Sequence, residues 1–371
     1  MNFELSDEQE FLKEAARGTL SRVETLVAAR QALEGSELPD LWPAACDAGW
    51  PGLLASAAHG GAALGPMDAM LVFEEMGRVL ASVGLLGHLP ATFLLDRAGA
   101  GDLLAPLASG SRRAAYLPAR PPSDVDPAWT VDPEFGSTRA PAPALDAGGE
   151  VTGTVAWVPD APGADLLVVV ADGESGPRAV AIEAAAAGVE IAPVTRYDAT
   201  RQLGHVRLDG ASGVVLEAGE EQLAAAFYLS CALIGAESLG AADRALEVAV
   251  EYAKDRFTFG RAIGSYQAVK HQLVEVLRRA GNARALMYYA GWAGESLPEE
   301  FPVAASAFRL SAGRALDEAA RVQINVHGGI GATWEHDAPL YFRRAQLSRR
   351  LLGGTSDAAD RVASEVFATV A

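Results

Sequence analysis

The stretch QINVHGGIGATWEHDAPLYFRRA, at positions 323 to 345, combines glycines, aromatic rings and basic groups in a pattern that core packing does not require. Gly328, Gly329 and Gly331 follow an apolar helical run, and glycine is the residue that lets backbone lie closest to a bound molecule. A double glycine after a helix is also typical of a plain C-terminal cap. The stretch therefore indicates either a ligand contact or a helix end, and neighbouring motifs must decide.

A second segment, YAKDRFTFGRAIGSYQAVKH at positions 252 to 271, carries groups suited to a phosphate. Its pattern predicts a helix that ends at Arg256, a tight Phe-Thr-Phe-Gly-Arg turn, and a new helix near Ser265 and Gln267. A guanidinium is a planar fork of donors that matches phosphate oxygens, and hydroxyl and amide groups can add neutral hydrogen bonds beside it. The alternative is a helix corner whose arginine pairs with a carboxylate.

The elements that must position these segments follow from the hydrophobic pattern. The chain is predicted to be α+β, mostly α, with three domains at residues 1–113, 114–218 and 219–371. Ser6 and Gln9 form a capping box that predicts a helix start, and further helices are expected at 38–48 and 66–81. Turn signals between β-branched runs predict a small antiparallel β domain, with strands at 164–170, 178–182 and 205–208. Long alanine-rich stretches then predict a helical bundle, at 220–254, 267–293, 301–326, 338–352 and a last helix to 371.

Composition and charge exclude several classes of protein. Lys and Arg total 30 against 48 Asp and Glu, so the formal net charge of −18 would repel a nucleic acid. Cys46 and Cys231 are the only cysteines and stand far apart, which predicts reduced thiols and no metal site. The first residues lack the features of a signal peptide, and no apolar run approaches the roughly 20 residues of a membrane span. We therefore expect a cytoplasmic protein without a membrane span.

The two segments together resemble the signature of the acyl-CoA dehydrogenase family. The matching positions are Arg256-x-x-Phe259-Gly260, Ile263-Gly264 with Gln267, and residues 323–331 with Thr333 and Glu335. The resemblance extends along the whole chain, from LSDEQEFLKE through VTGTVAWVPDAPGADLLVVVA to the C-terminal helices. It implies a helical N-terminal domain, a middle antiparallel β domain and a C-terminal four-helix bundle, assembled as a dimer of dimers with FAD across an interface.

The resemblance also implies roles for individual residues. Arg256 would reach the FAD pyrophosphate, with Phe259 and Gln267 nearby. The adenine and pyrophosphate end of a flavin held mainly by a neighbouring subunit would be lined by Gln323, Gly328 and Gly329, while Glu335 would orient nearby basic groups. In the family's reaction a carboxylate removes the α-proton of an acyl-CoA thioester and the β-carbon delivers hydride to flavin. An electron-transfer flavoprotein then reoxidises the cofactor.

The family's catalytic base is the feature that this sequence lacks. In most members a glutamate directly precedes a Gly-Thr pair, and Gly353 occupies that position here. A minority carry the glutamate on the helix that leads to the Arg-x-x-Phe-Gly turn, and there the position is Ser230. Glu237 and Glu247 lie further along the same helix and are predicted to be solvated or ion-paired. No catalytic residue is therefore assigned.

The segments that face the flavin ring in the family also match the family's pattern poorly in this sequence. Where the family usually has a Thr-Glu-Pro stretch with Gly-Ser, this sequence has only VDPEFGSTR, at 131–139. The family's Trp-Ile/Val-Thr segment is Trp157-Val158-Pro159 here, and proline has no backbone N–H that could donate to the flavin. Some bacterial members are heterotetramers of two related chains, including those that act on steroid side-chain CoA thioesters, and TWEHDAPLYFRRA resembles that group. Three hypotheses stay open: a heteromeric subunit without the base, a self-sufficient homo-oligomer with an unlocated base, and a catalytically silent binding protein.

Overall fold

The computed structural model describes residues 4–121, 124, 127, 129–131, 139–195 and 197–368. The first part is helical. Ser6 Oγ accepts the amide hydrogen of Gln9 and the Gln9 side chain accepts that of Ser6, both at 3.2 Å, so the predicted capping box is confirmed. The helices of this part are α1 Asp7–Leu20, α2 Thr25–Leu33, α3 Trp42–Asp47, α4 Pro66–Arg78, α5 Leu85–Arg97 and α6 Gly101–Ala108.

The middle part contains an eight-stranded sheet in the order β10-β7-β6-β4-β5-β9-β8, with β1 beside β6. Its strands, together with a separate β2–β3 pair, are β1 Ala114–Leu117, β2 Trp129–Val131, β3 Arg139–Pro141, β4 Ala144–Leu145, β5 Glu150–Pro159, β6 Leu166–Gly173, β7 Gly176–Glu183, β8 Val189–Pro193, β9 Leu203–Ser212 and β10 Val214–Val215. Most neighbours are antiparallel as predicted, but β1 and β4 pair with β6 in parallel. Parallel pairing needs a long crossover, which the chain between β1 and β6 supplies.

Both faces of this sheet are buried, which fixes its place between the other two parts. Along β6, Leu166, Val168 and Val170 join the large core shared with the helices. The alternate residues of the same strand, Leu167 and Val169, join a separate core within the β domain. Successive side chains of a strand point to opposite faces. The sheet therefore carries its own core on one side and packs against the helical core on the other.

The last part, as far as residue 368, contains five helices, α7 Glu220–Asp255, α8 Gln267–Ser296, α9 Phe301–His327, α10 Ala338–Ser348 and α11 Gly354–Ala368, and a short hairpin, β11 Phe257–Thr258 with β12 Arg261–Ala262. The 36 residues of α7 extend for about 54 Å. Within the described part of the chain, α7 is the one helix long and apolar enough to cross a membrane, but 94% of its apolar stretch is buried inside the protein. Helix α7 is therefore a buried core helix of the bundle.

The predicted helix over 338–352 was too long, because the chain turns after Ser348. Leu352, Gly353 and Gly354 have φ values of 51°, 79° and 72°, and a right-handed helix cannot pass through three residues in the left-handed region. The chain reverses there and starts α11 at Gly354. This turn contains Gly353, at one of the two positions of the family's catalytic base.

Acid is expected to destabilise the helical part through His88 in α5. The ring is fully buried, its Nδ1 accepts the amide hydrogen of Ala114 at 3.1 Å, and burial lowers its pKa from 6.5 to about 4. The unfolded chain binds the proton more readily, so stability is complete above pH 6.5 and falls by about 3 kcal/mol as the pH approaches 4. Urea unfolding at several pH values measures this slope, which His88→Gln should largely remove. If the free energy of unfolding depended equally on pH in both proteins, a group other than His88 would cause the acid sensitivity.

Candidate cofactor site

The ends of α7 and α9 meet at one end of the bundle. Tyr252, in the last turn of α7, stacks on His327, the last residue of α9, with ring centroids 4.2 Å apart and an interplanar angle of 29°. Arg256 directly follows α7 and Gly328 directly follows α9. The two segments singled out in the sequence therefore come together, although they are far apart along the chain.

The hairpin after Arg256 exposes aromatic and basic groups. Phe259 and Gly260 form its tip with φ values of 49° and 79°, a conformation that costs an aromatic residue energy. Phe259 is 94% exposed and Phe257 63% exposed. Arg256 is exposed too, and its guanidinium forms no ion pair or side-chain hydrogen bond within the described residues. Two bare phenylalanines beside an unpaired arginine are typical of a surface that another molecule covers.

Gln267 begins α8 next to this hairpin. The Tyr266 hydroxyl donates to the Thr258 carbonyl at 3.2 Å, and the Ser265 hydroxyl donates to the Ala262 carbonyl at 2.7 Å. These bonds fix the start of α8 against the hairpin, and Gln267 is left exposed. Ser265, a possible phosphate donor by sequence, instead holds the turn together.

The glycine turn after α9 is both a helix end and an open surface. Gly328 has a φ of 64°, as the capping interpretation requires, and its amide donates to Ile324 at 3.0 Å. A Cβ atom added at Gly328 or Gly329 would meet nothing within 4 Å. At Gly331 the added atom would lie 2.8 Å from Ile324 O, so that glycine is needed for packing. The first two glycines therefore leave backbone accessible to a ligand.

Gln323 differs from the other proposed contacts because it is fully buried. Neither its amide oxygen nor its amide nitrogen has a hydrogen-bond partner among the described residues. Its backbone carbonyl accepts a hydrogen bond from Nδ1 of His327 at 2.7 Å. A buried amide without a hydrogen-bond partner destabilises the fold, so this side chain is suited to binding a polar group of another molecule.

Neither position of the family's base can supply a carboxylate. The Ser230 hydroxyl is buried and donates to the Ala226 carbonyl at 3.0 Å within α7. A Cβ atom at Gly353 would lie 1.9 Å from Oδ2 of Asp357 and 2.9 Å from the Trp129 ring. Position 353 therefore has no room for a glutamate in this conformation.

The two glutamates further along α7 are ion-paired, which confirms their predicted role. Glu237 is buried and accepts hydrogen bonds from Arg344, at 2.5 Å, and from Arg201. Glu247 pairs with Arg78 at 2.7 Å. Arg78 holds the pKa of Glu247 below its usual range despite partial burial. Both carboxylates are thus engaged as charged partners of arginines.

Asp357 is a carboxylate near position 353 that the sequence did not single out. It lies on α11 one turn after Gly353, and that i, i+4 spacing is the only signal that could have found it. Burial raises its pKa, and the carboxylate is bound by Arg120 at 3.0 Å and Arg139 at 2.9 Å. Arg120 also pairs with Asp124 at 2.8 Å. The space beside the empty base position is filled by this ion cluster.

The space between the β domain and the bundle is nearly closed in the described part of the chain. A cavity of about 40 Å³ lies there, lined by residues that include Trp129, Trp157, Phe227, Arg350 and Leu351. Sites for drug-sized ligands are usually several times larger, at roughly 300 to 1,000 Å³. Most of the VDPEFGSTR segment, residues 132–138, lies outside the described residues. The described lining leaves room for water and little else.

A helical domain, a sheet buried on both faces and a bundle of long helices define a mostly helical α+β protein, the class predicted. Comparison with known proteins identifies the family. The acyl-CoA dehydrogenase N-terminal domain matches residues 6–111 and the acyl-CoA dehydrogenase C-terminal domain matches residues 217–366. The chain belongs to the acyl-CoA dehydrogenase family of oxidoreductases, which confirms the resemblance found in its motifs.

Three similar proteins place the chain within that family. The acyl-CoA dehydrogenase IpdE2 of Mycolicibacterium smegmatis is 31% identical over 367 residues, covering 98% of this chain and 100% of that protein. The ChsE4-ChsE5 complex from Mycobacterium tuberculosis superposes with a TM-score of 0.87 at 25% identity, covering 99% of both chains. A variant of the Tcur3481-Tcur3483 steroid acyl-CoA dehydrogenase gives a TM-score of 0.84 at 27% identity, covering 98% of this chain and 99% of that one. The names of the last two each join two proteins.

Proposed function

We propose that this chain is one subunit of a heteromeric, FAD-dependent acyl-CoA dehydrogenase, in which it completes the cofactor's tail site and a related chain supplies the base. One contrast carries the proposal. The end of the bundle offers an unpaired arginine, bare aromatic rings and open glycine backbone, whereas both base positions lack a carboxylate and the described residues beside Trp157 and Pro159 enclose only about 40 Å³. The chain has the groups that could hold a cofactor and lacks the groups that would perform the chemistry.

The residues at the bundle end fit the tail of FAD. Arg256 provides charge-assisted hydrogen bonds for a pyrophosphate, and Gly328 and Gly329 allow backbone to lie against it. Phe259 and Gln267 are exposed beside Arg256, and the buried Gln323 amide has unused donors and an acceptor. Solved neighbours of this fold include complexes with FAD. When bound, the flavin supplies a hydride acceptor, and this chain's part is to bind and orient its tail.

The remaining functions fall to partners. A related acyl-CoA dehydrogenase subunit would provide the base and the pocket of the flavin ring, in the cytoplasm, and an electron-transfer flavoprotein would reoxidise the cofactor. The names of the ChsE4-ChsE5 complex and of Tcur3481-Tcur3483 each join two proteins, which supports a paired assembly. The word steroid in the second name supports a CoA thioester of a steroid side chain as the substrate. We propose domain limits at residues 113 and 218, between α6 and β1 and between β10 and α7.

Asp357 supports a second candidate, a self-sufficient enzyme. Its carboxylate lies where a side chain at position 353 would begin, and burial raises its pKa toward that of a base. It would first have to leave Arg120 and Arg139. Asp357→Asn distinguishes the two candidate functions. If Asp357 is the base, the variant should lose dehydrogenation activity several hundredfold or more at unchanged FAD content. Under our proposal the same variant changes stability and leaves turnover per bound FAD unchanged.

Arg256→Ala tests the tail site. In the complex of this chain with its related subunit, the variant should weaken FAD retention by about 1.5 to 3 kcal/mol, or roughly 10- to 150-fold, because a charge-assisted bond to phosphate is lost. Equilibrium dialysis with flavin fluorescence measures this. The exposed Arg178 on β7 gives a matched control, since Arg178→Ala removes the same charge far from the bundle end. Equal FAD retention in both variants would contradict the role of Arg256.

A further inference from the structure

Two imidazole rings lie behind the glycine turn. The centroids of His327 and His336 are 4.1 Å apart at an angle of 43°, and Tyr252 also stacks on His327. Each ring bonds to backbone at the end of a helix. His327 Nδ1 contacts the carbonyl of Gln323 at 2.7 Å, and His336 Nδ1 accepts the amide hydrogen of Ala338 at 3.0 Å. The pair therefore joins the last turn of α9 to the first residue of α10.

The backbone partners determine the protonation of each ring nitrogen. A carbonyl oxygen only accepts, so Nδ1 of His327 must carry a hydrogen. An amide group only donates, so Nδ1 of His336 must be bare. The bond to Ala338 consequently exists only while His336 has that nitrogen unprotonated, and a doubly protonated imidazole would break it.

The surroundings of His336 oppose its protonation. The half-buried ring faces His327 of α9 and the N-terminus of α10, whose dipole disfavours a cation. Arg30 of α2 is the nearby fixed positive charge, and it is itself paired with Asp337. Burial, His327 and Arg30 lower the pKa of His336 from its ordinary value of 6.5, against the opposing effect of Asp337. The neutral ring is the form that the fold selects.

We propose that His336 is a positioning residue for the cofactor tail: its neutral imidazole links α9 to α10 and so holds the glycine turn, residues 328–331, in the shape that receives FAD. The link to FAD rests on the proposed function, whereas the hold on the turn depends on this chain alone. Because the folded-state pKa is lowered, the hold is complete above pH 6.5 and is lost as the pH falls through the lowered pKa of the ring. A tail site built in this way releases FAD on acidification.

Asparagine at position 336 separates the geometry from the titration. An Asn side chain accepts a hydrogen bond from the amide two residues ahead, which is the relation of His336 to Ala338, and it carries no titratable group. His336→Asn should thus keep the turn ordered at all pH values. His336→Ala lacks the acceptor altogether. His59→Asn, in the N-terminal helical part, removes an imidazole far from the turn and serves as the matched control.

Hydrogen exchange at pH 7.5 and 4.5 tests the positioning, expressed as protection factors for the amides of residues 328–338 relative to those of α9. The wild type and His59→Asn should lose at least fivefold protection on acidification, His336→Asn should change less than twofold, and His336→Ala should be low at both pH values. FAD retention by the assembled complex should follow the same order. Equal losses in the wild type and His336→Asn would overturn the proposal, and the comparison cancels the acid response of His88, which all variants share. A complex without FAD at either pH would count against the proposed function, while the protection factors still decide the role of His336.

Discussion

Replacing Arg344 with methionine is expected to lower the free energy of unfolding by about 3 to 5 kcal/mol, because the buried Asp198 loses its arginine and the buried Glu237 loses one of its two. The Arg344 side chain is 1% exposed and binds Asp198 at 2.8 Å, Glu237 at 2.5 Å and the Thr200 carbonyl at 2.7 Å. It thereby ties α10 to α7 and to the chain between β8 and β9. Methionine fills much of the same volume, so the loss reports charge rather than an empty space.

Urea unfolding at pH 7 measures this effect. Arg321→Met on the surface of α9 is the matched control, since its pair with Asp317 is exposed and contributes about 1 kcal/mol or less. A loss below about 1 kcal/mol in Arg344→Met would show that Glu237 and Asp198 are not held as buried charges, and Glu237 would then return as a candidate base.

Gly353→Glu restores the residue type of the family's base and is nevertheless expected to give no activity to this chain alone. The side chain would start 1.9 Å from the Asp357 carboxylate, at a φ of 79°, and it would add a like charge. We expect a loss of stability of about 2 to 5 kcal/mol from backbone strain and overpacking. Gly353→Ala separates these costs from the charge. A stable variant that dehydrogenates acyl-CoA by itself would show that the missing glutamate is all that the chain lacks.

Much of the fold could be predicted from local patterns. The capping box at Ser6, the long alanine-rich helices and the sheet in the middle depend on periodicity and caps, which are properties of neighbouring residues. The parallel pairing of β1 and β4 with β6 could not, because it depends on where a long crossover returns. The early end of α10 at Ser348 was missed because Leu352, an ordinary helix former, adopts a positive φ.

The candidate site shows the same division. The spacing around Arg256 and Gly328 indicated phosphate chemistry, and the stack of Tyr252 on His327 supplies the reason that these segments meet. The burial of Gln323 was not foreseen, since a helical residue's environment depends on what packs against it. The ion clusters of Asp357 and Arg344 join residues distant in sequence, and no local pattern reports such pairs.

These clusters give a physical account of how a chain of this family could lose its chemistry and keep its fold. The charges that surround Asp357 occupy the space beside Gly353, and Glu237 is committed to two arginines. Each of these carboxylates is therefore bound by guanidinium groups, which it would have to leave before it could reach a substrate. The bundle end has the opposite character, because Arg256 keeps its donors free for another molecule.

Flavin content per chain tests the central claim most directly. The chain is purified alone and also co-purified with a related acyl-CoA dehydrogenase subunit, and bound FAD, native mass and acyl-CoA dehydrogenation with an artificial electron acceptor are measured in both preparations. Our account predicts no stable flavin and no activity in the chain alone, and one FAD for each pair of chains with full activity in the complex. One FAD per chain and full activity in the isolated chain would contradict it.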